Sequence, residues 1–163
     1  MAHIVIMGAG LGGLPAAFEM KEALRKEDRV TVVSNSTTFH FVPSNPWVAV
    51  DWRKREDIEL DLATILGRKG IAFSAAGVKR VHPEKSQLEL GDGSTLDYDY
   101  LVIATGPKLA FDEVEGLGPD GHTQSICHVD HAERTAAAFE AFVANPGPIV
   151  VGAVQGASCF GPA

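Results

Sequence analysis

Apolar residues form two short, dense runs near the start of the chain, over residues 2–7 and 29–34. Between them, over 12–26, apolar residues recur at helical spacing. That face consists of Leu14, Ala17, Phe18 and Leu24. The pattern predicts a buried strand, an amphipathic helix and a second buried strand, which together form a βαβ unit with parallel strands.

The remaining pattern is more broken and predicts smaller elements. Residues 35–58, rich in polar residues, proline and aromatics, are expected to form a long loop. A short helix and several short strands follow, with Gly91-Asp92-Gly93-Ser94 as a hairpin turn. The helix is predicted over 61–69, and the strands over 71–76, 78–82, 86–90, 95–97 and 100–104.

The end of the chain resembles its beginning. A loop over 111–122 precedes an alanine-rich helix over 130–144, and a buried strand is predicted at 149–151. That strand leads into a second glycine-containing turn, which is the order of elements seen at residue 8. We therefore expect an incomplete second copy of the first unit, with one domain over 1–115 and the start of another over 116–163.

The turn after the first run carries the pattern G-x-G-x-x-G at Gly8, Gly10 and Gly13. In this pattern the first glycine makes the tight turn, the second lets a pyrophosphate approach the backbone, and the third allows close helix packing. Gly12 keeps the turn small. The alternative is a turn that only reverses the chain and binds nothing. Because the glycine pattern lies between a predicted strand and a predicted helix, dinucleotide binding is favoured.

These motifs predict an α/β fold: a Rossmann-like FAD/NAD(P)-binding domain with a parallel sheet and a small β-meander insertion, followed by the start of a second Rossmann-like domain. Thr105 and Gly106 follow a predicted strand, at the edge where such sheets bind ligands. Ser34 and Asn35 end the second strand, where many such folds carry Asp or Glu for the ribose. A hydroxyl or an amide can also bind a ribose.

Composition restricts the classes of function. The net charge of −7 carries no basic stripe, which argues against nucleic acid as a partner. No apolar run approaches the length of a membrane span, and no signal peptide is visible, so a cytoplasmic location is expected. The spacing of the histidines and cysteines predicts no metal site. Cys127 and Cys159 are either inert buried thiols or redox-active ones.

Four segments resemble the sulfide:quinone oxidoreductases, within the flavoproteins that contain two dinucleotide-binding domains. Two of these segments, Gly8–Gly13 and Tyr98–Pro107, are shared across the superfamily. The other two segments are Phe41–Val48 and Gly156–Pro162. The specific part of the resemblance is the Pro43–Val48 stretch together with Cys127 and Cys159. The resemblance implies FAD as cofactor, sulfide and quinone as substrates, and peripheral membrane contact through a region beyond residue 163. It is also compatible with a homo-oligomer.

The resemblance also implies residue roles. Cys159 corresponds to one member of the redox cysteine pair, whose partner would lie beyond residue 163. Cys127 matches a further family cysteine, and His131 matches a histidine suggested to move protons or aid electron transfer. Pro43 and Ser44 would lie beside the flavin. From the residues alone, the Pro43–Trp47 segment could equally cap the core, and His131 could simply begin a helix with Asp130 as N-cap.

Two alternatives remain. A type II NADH:quinone dehydrogenase would use NADH and would not need either cysteine. The 163-residue chain by itself could also be a non-catalytic nucleotide-binding truncation, inactive without the rest of the longer protein.

Overall fold

The computed structural model describes residues 1–152. The described chain contains nine strands and four α-helices, joined by short 3-10 turns. The strands are β1 (His3–Met7), β2 (Arg29–Val33), β3 (Thr38–His40), β4 (Glu59–Asp61), β5 (Ala72–Ser74), β6 (Val78–His82), β7 (Gln87–Leu90), β8 (Thr95–Asp97) and β9 (Tyr100–Ile103). The helices are α1 (Gly13–Ala23), α2 (Asn45–Ala49), α3 (Leu62–Arg68) and α4 (Val129–Ala144).

A four-stranded parallel sheet in the order β5-β2-β1-β9 forms the centre of the fold. Because side chains alternate along a strand, Ile4 and Ile6 face one side of the sheet and Val5 faces the other. Both sides are buried, as a parallel sheet requires. The predicted βαβ unit and the Rossmann-like α/β fold are confirmed.

Each side of the sheet packs against a different layer. Apolar residues of α1 and α3 cover the Ile4 side, including Leu14, Leu62 and Leu66. The antiparallel meander β6-β7-β8 covers the Val5 side with Leu88 and Leu90. The meander insertion was predicted, and its register contains a bulge between Val78 and Arg80 that leaves Lys79 as the extra residue.

The prediction of one long loop over 35–58 is wrong. This segment contains β3 and α2, and β3 pairs with β4 in a two-stranded antiparallel ribbon. Phe39 is buried in the core beneath the sheet, and Val48 and Ala49 are buried against another helix. The sequence pattern concealed these elements because each is only three to five residues long.

The buried strand predicted at 149–151 is also wrong. Residues 149–151 have no regular secondary structure, and their side chains are exposed: 67% for Ile149, 92% for Val150 and 69% for Val151. A β-branched run becomes a buried strand only when neighbouring strands pair with it. Among residues 1–152, no strand pairs with this segment.

Helix α4 packs against α2 through a small apolar contact and a set of ion pairs. Val129 and Ala132 are buried and pack against Val48, Ala49 and Ile58. At the edge of this contact, the guanidinium of Arg55 donates to Asp130 and, at 3.0 Å, to Glu133. Arg55 also pairs with Glu59, which joins the β3-β4 ribbon to the start of α4.

Asp130 does not cap α4, contrary to the interpretation offered from the sequence. The N-cap is His128, and no side chain there bonds the helix N–H groups. The Asp130 carboxylate binds Arg55 instead, and this contact is the main reason that its pKa lies below the ordinary value. Arg55 therefore holds the first turn of α4 through Asp130.

We expect Gly13→Ala to unfold the protein readily, because a Cβ there would lie 2.9 Å from the Gly8 carbonyl carbon and would overlap its oxygen. Backbone atoms cannot yield as a side chain can, so a loss of about 3 kcal/mol in the free energy of unfolding is expected. Chemical denaturation measures it. The matched control is Gly67→Ala, where no atom lies within 4 Å and helix propensity predicts a gain of about 0.5 kcal/mol. Equal effects of the two substitutions would contradict the packing argument.

His3 predicts a pH dependence of stability. Its imidazole is buried and its Nε2 lies 2.8 Å from the Thr31 hydroxyl. Burial, aided by the positive charge of Arg29, lowers the pKa of His3 below its ordinary 6.5. The unfolded chain therefore binds a proton that the folded chain does not, and stability should decrease as the pH falls through about 6.5. His3→Gln should flatten this dependence in denaturation curves between about pH 7.5 and 5.5; an unchanged slope would exclude His3 as its source.

Candidate functional site

The glycine turn brings three backbone segments into contact at the carboxyl edge of the sheet. Gly8 has a φ of +107°, and a Cβ there would lie 2.7 Å from the Ala104 carbonyl carbon. Its N–H donates to the Val33 carbonyl at 2.8 Å. Gly8 and Gly13 are therefore required by close packing between the turn, β2 and the end of β9.

Gly10 and Gly12 have different surroundings from Gly8 and Gly13. No atom lies within 4 Å of a Cβ built on Gly10, so the space beside its backbone is open. Gly12 is the N-cap of α1, and no side chain there bonds the first N–H groups of the helix. A helix N-terminus with open backbone beside it can bind a phosphate, because its N–H groups and dipole attract negative charge.

Two adjoining clefts lie at this edge, at the carboxyl ends of β1, β2 and β9. The larger has a volume of about 350 Å³ and the smaller about 200 Å³. Both are lined by the same four residues from the sequence prediction: Gly8, Ser34, Asn35 and Thr105. Gly10 lines the smaller cleft only. Gly106, with a φ of +71°, follows Thr105 but does not line either cleft.

Backbone hydrogen bonds position Ser34 between the clefts. Its N–H donates to the Ser74 carbonyl at 2.9 Å, and its own carbonyl accepts from Gly77 N–H at 2.9 Å. Its hydroxyl accepts from Ser36 N–H at 3.2 Å. Asn35 beside it is exposed, so its amide is free to contact a ligand in the larger cleft.

Pro43 and Ser44 do not line either cleft. Ser44 is fully buried, and its hydroxyl accepts from Arg53 at 2.9 Å; the same guanidinium lies 4.2 Å from the centre of the Trp47 ring. From this segment, Val42 lines the smaller cleft. Within Pro43–Trp47, Ser44 and Asn45 are buried while the other three residues are exposed, so the place of this segment beside the flavin stays a prediction.

Sequence reasoning missed Asn45 and His40. Asn45 is fully buried, and its side-chain amide has no hydrogen-bond partner among the described residues. Buried polar groups are usually hydrogen-bonded, so this amide is an exception within the described structure. His40 lines the smaller cleft, and its Nδ1 lies 3.1 Å from the Glu59 carboxylate. An asparagine between serine and proline was the only sequence signal for Asn45, and nothing in the sequence distinguished His40.

Cys127 and His131 lie together at the start of α4. Cys127 is exposed and is a free cysteine, and its N–H donates to the Ser125 hydroxyl at 3.2 Å. The His131 ring lies between those of Phe111 and His128, with centre-to-centre distances of 5.6 and 5.7 Å. Its Nδ1 is buried and has no hydrogen-bond partner in the described part of the chain. Cys159 lies outside the described residues.

Asp130 in the first turn of α4 interacts electrostatically with His40, which lines the smaller cleft. The pKa of Asp130 is lowered chiefly by Arg55, and the positive charges of His128 and His40 lower it further. His40 thus both lines the smaller cleft and acts on the first turn of α4. Within residues 1–152, His, Cys, Asp and Glu form no group of three or more that could hold a metal ion. None of the helices described has the length and apolarity to cross a membrane.

Comparison with known proteins places this architecture in a family. The model of the pyridine nucleotide-disulphide oxidoreductases matches residues 2–154. The chain belongs to the pyridine nucleotide-disulphide oxidoreductase family. Members of this family and the sulfide:quinone oxidoreductases are FAD-binding flavoproteins, which confirms the flavoprotein resemblance of the sequence.

Two relatives within this family are both described as sulfide:quinone enzymes. The sulfide-quinone reductase of Aquifex aeolicus is 39% identical over 99% of the chain, and the mitochondrial sulfide:quinone oxidoreductase of Dictyostelium discoideum is 30% identical over 99%. The X-ray structure of the Aquifex aeolicus sulfide:quinone oxidoreductase superposes with a TM-score of 0.92 at 38% identity and covers 99% of the chain. The chain spans 36% of the length of each of the two relatives and 37% of the solved chain.

The glycine turn fits the flavin dinucleotide of this family, because the backbone at Gly10 is open where a pyrophosphate would lie. We expect Gly10→Ala to fold normally and to lower FAD affinity at least tenfold, since the added methyl group would occupy space that is empty in the protein. Titration of flavin fluorescence gives the affinity, and thermal unfolding without flavin gives the stability. Full FAD affinity in the variant would show that the pyrophosphate does not approach this residue.

Proposed function

We propose that this chain forms the dinucleotide-binding portion of an FAD-dependent oxidoreductase that oxidises sulfide to sulfane sulfur or polysulfide and passes the electrons to a quinone. The observation that carries the proposal is the similarity to the Aquifex aeolicus enzyme, which extends over 99% of the chain with a TM-score of 0.92. The similarity includes both the glycine turn and the region of Cys127 and His131.

The clefts supply the binding half of this function. Gly10, Gly12 and the N-terminus of α1 would hold the pyrophosphate of FAD, and Ser34 and Asn35 would bind the ribose. Thr105 and Gly106 would contact the cofactor from the end of β9. FAD, once bound, supplies two-electron acceptance from sulfur and donation to a quinone.

Cysteine chemistry supplies the other half. A thiolate is the form that exchanges with sulfur, and a cysteine must be accessible to meet a sulfur substrate. Cys127 is exposed and directly precedes the N-cap of α4. We assign Cys159 to the redox pair on the resemblance, with its partner in the longer protein and Cys127 as an auxiliary thiol.

His131 would hold or move the proton that sulfide loses. An imidazole can accept and donate a proton, and His131 lies in the first turn of α4, shortly after Cys127 in the chain. Its Nδ1 has no partner in the described structure, so the ring is not committed to a structural hydrogen bond there.

Contact with quinone and with the membrane surface belongs to the longer protein in this proposal, as does any homo-oligomer. The 163-residue chain alone would bind the nucleotide but would not turn over sulfide, because it spans 36% of the length of its relatives.

A second candidate function is oxidation of NADH with quinone as acceptor. The description of the matched family, which names pyridine nucleotides, favours this alternative. In that case neither Cys127 nor Cys159 would take part in electron transfer.

The deciding experiment is an anaerobic absorbance spectrum of the flavin-loaded protein, in the longest reading frame that contains this chain, before and after addition of sulfide or NADH. Sulfide should bleach the flavin and NADH should not. Cys159→Ser should abolish bleaching by sulfide. Bleaching by NADH alone, unaffected by serine at positions 127 and 159, would replace the proposal with the second candidate.

The role of His131 has its own test. His131→Asn should slow sulfide-dependent flavin reduction about a hundredfold, the size expected for loss of a general acid or base. The control is His122→Asn, because His122 is exposed and lies outside both clefts and outside α4. Equal rates in the two variants would leave His131 with a packing role beside Phe111.

A further inference from the structure

Arg55 lies at the centre of a polar network that extends from the smaller cleft to the start of α4. On the side of the cleft, its guanidinium pairs with a carboxylate oxygen of Glu59 on β4. The same Glu59 oxygen lies 3.1 Å from Nδ1 of His40, and His40 lines the smaller cleft. Arg55 is thus linked to the cleft through one carboxylate and one imidazole.

On its other side, Arg55 binds two carboxylates of α4. Its Nη1 donates to Oδ1 of Asp130 and, at 3.0 Å, to Glu133. The second oxygen of Asp130 lies 3.9 Å from Nδ1 of His128. The His128 ring in turn lies 5.7 Å from the His131 ring, measured between centres. The network therefore continues from Arg55 through Asp130 and His128 to the imidazole of His131.

The apolar contact beside this network cannot fix the orientation of α4 by itself. It consists of small or branched aliphatic side chains, with Val129 and Ala132 on α4. Burial of apolar surface is not directional, so such a contact brings two helices together without fixing their rotation. A guanidinium donates in fixed directions. Arg55 donates from Nε to Glu59 and from Nη1 to Asp130, which sets the first turn of α4 relative to β4.

The charges of the network act on one carboxylate. The hydrogen bond from Arg55 is the largest cause that lowers the pKa of Asp130, and the charges of His128 and His40 lower it further. His128 belongs to the start of α4 and His40 to the smaller cleft. Asp130 therefore responds electrostatically to both ends of the network.

We propose that Arg55 is a positioning residue for the sulfide chemistry, because it holds the first turn of α4 on the β3-β4 ribbon and thereby fixes the place of His131. The proposal rests on the sulfide oxidation and the role of His131 proposed above. Arg55 acts through Asp130 and does not itself contact the substrate. Proton transfer requires hydrogen-bond distance, so a small displacement of His131 would slow the reaction.

The test is anaerobic stopped-flow reduction of the flavin by sulfide, in the longest reading frame that contains this chain. Arg55→Gln should lower the maximal rate at saturating sulfide about tenfold. It should change FAD affinity less than about twofold, because Arg55 lines neither cleft. The matched control is Arg134→Gln, which should keep the full rate. Arg134 also lies on α4, but its guanidinium pairs at 2.9 Å with Asp120 in the preceding loop.

A double-mutant cycle tests whether Arg55 acts through Asp130. Asp130→Asn should also lower the maximal rate, and the double variant should lose no more than Arg55→Gln alone, because both side chains act through one contact. Losses that multiply in the double variant would overturn the proposal. Partly exposed ion pairs contribute little to stability, so each variant should fold, and thermal unfolding checks this.

A second measurement, on the 163-residue chain, does not depend on activity. In a carboxyl NMR titration, Arg55→Gln should raise the pKa of Asp130 toward its ordinary value, and Arg134→Gln should leave it unchanged. An unchanged Asp130 pKa in Arg55→Gln would overturn the inference.

The outcomes separate this inference from the proposed function. If sulfide fails to reduce the flavin of the unsubstituted protein, the proposed function is wrong, and the role of Arg55 in it falls as well. If sulfide reduces the flavin and Arg55→Gln keeps the full maximal rate, the inference alone is overturned. A loss confined to the sulfide concentration needed for half-maximal rate would also overturn it, because Arg55 would then act on sulfide binding through its charge.

Discussion

The close approach of backbone at Gly8, Gly13 and Ala104 is the constraint on which the rest of the structure depends. Side chains larger than hydrogen at Gly8 and Gly13 would overlap backbone atoms that cannot move aside. This contact joins the turn after β1 to the end of β9 and brings the start of α1 to the edge of the sheet. Without it, the helix N-terminus and the carboxyl ends of three parallel strands would not surround one space.

The two faces of the parallel sheet are covered by different layers. The Ile4 side is covered by α1 and α3 and forms the larger core, while the Val5 side is covered by the meander. The meander also contributes Gly77, Val78 and Lys79 to the larger cleft, so an insertion that buries one face of the sheet also shapes the binding site. The result is a cleft lined without carboxylates among the described residues, in a chain of net charge −7.

Ion pairs made by Arg55 hold the start of α4, where Cys127 and His131 lie, against the β3-β4 ribbon. Arg55 binds Glu59 on the ribbon and Asp130 and Glu133 on α4, around a small apolar contact that includes Val129. Such partly exposed ion pairs contribute little stability individually, about 0–1 kcal/mol each. They do specify position, because a guanidinium has fixed donor directions. The start of α4, with Cys127 and His131, is thereby oriented near His40.

The local pattern determined the elements with strong periodicity: the βαβ unit, the glycine turn at Gly8 to Gly13, and the meander around the Gly91–Ser94 turn. Hydrophobic periodicity and glycine requirements act over a few residues, so they can be read directly from the sequence. The same information failed at 35–58 and at 149–151. The ribbon strand β3 exists because β4 pairs with it, and the β-branched run at 149–151 has no partner strand among residues 1–152.

The tertiary structure alone decided which predicted site residues meet. It brought Gly8, Ser34, Asn35 and Thr105 to shared clefts and left Pro43 and Ser44 outside them. It also added His40 and Lys79, which carry no motif in the sequence. Sequence by itself determined the chemistry available at each position and the turns that glycine permits. Distances between residues far apart in the chain depend on how sheet, helices and meander pack, and that packing is the sum of many weak contacts with no local signature.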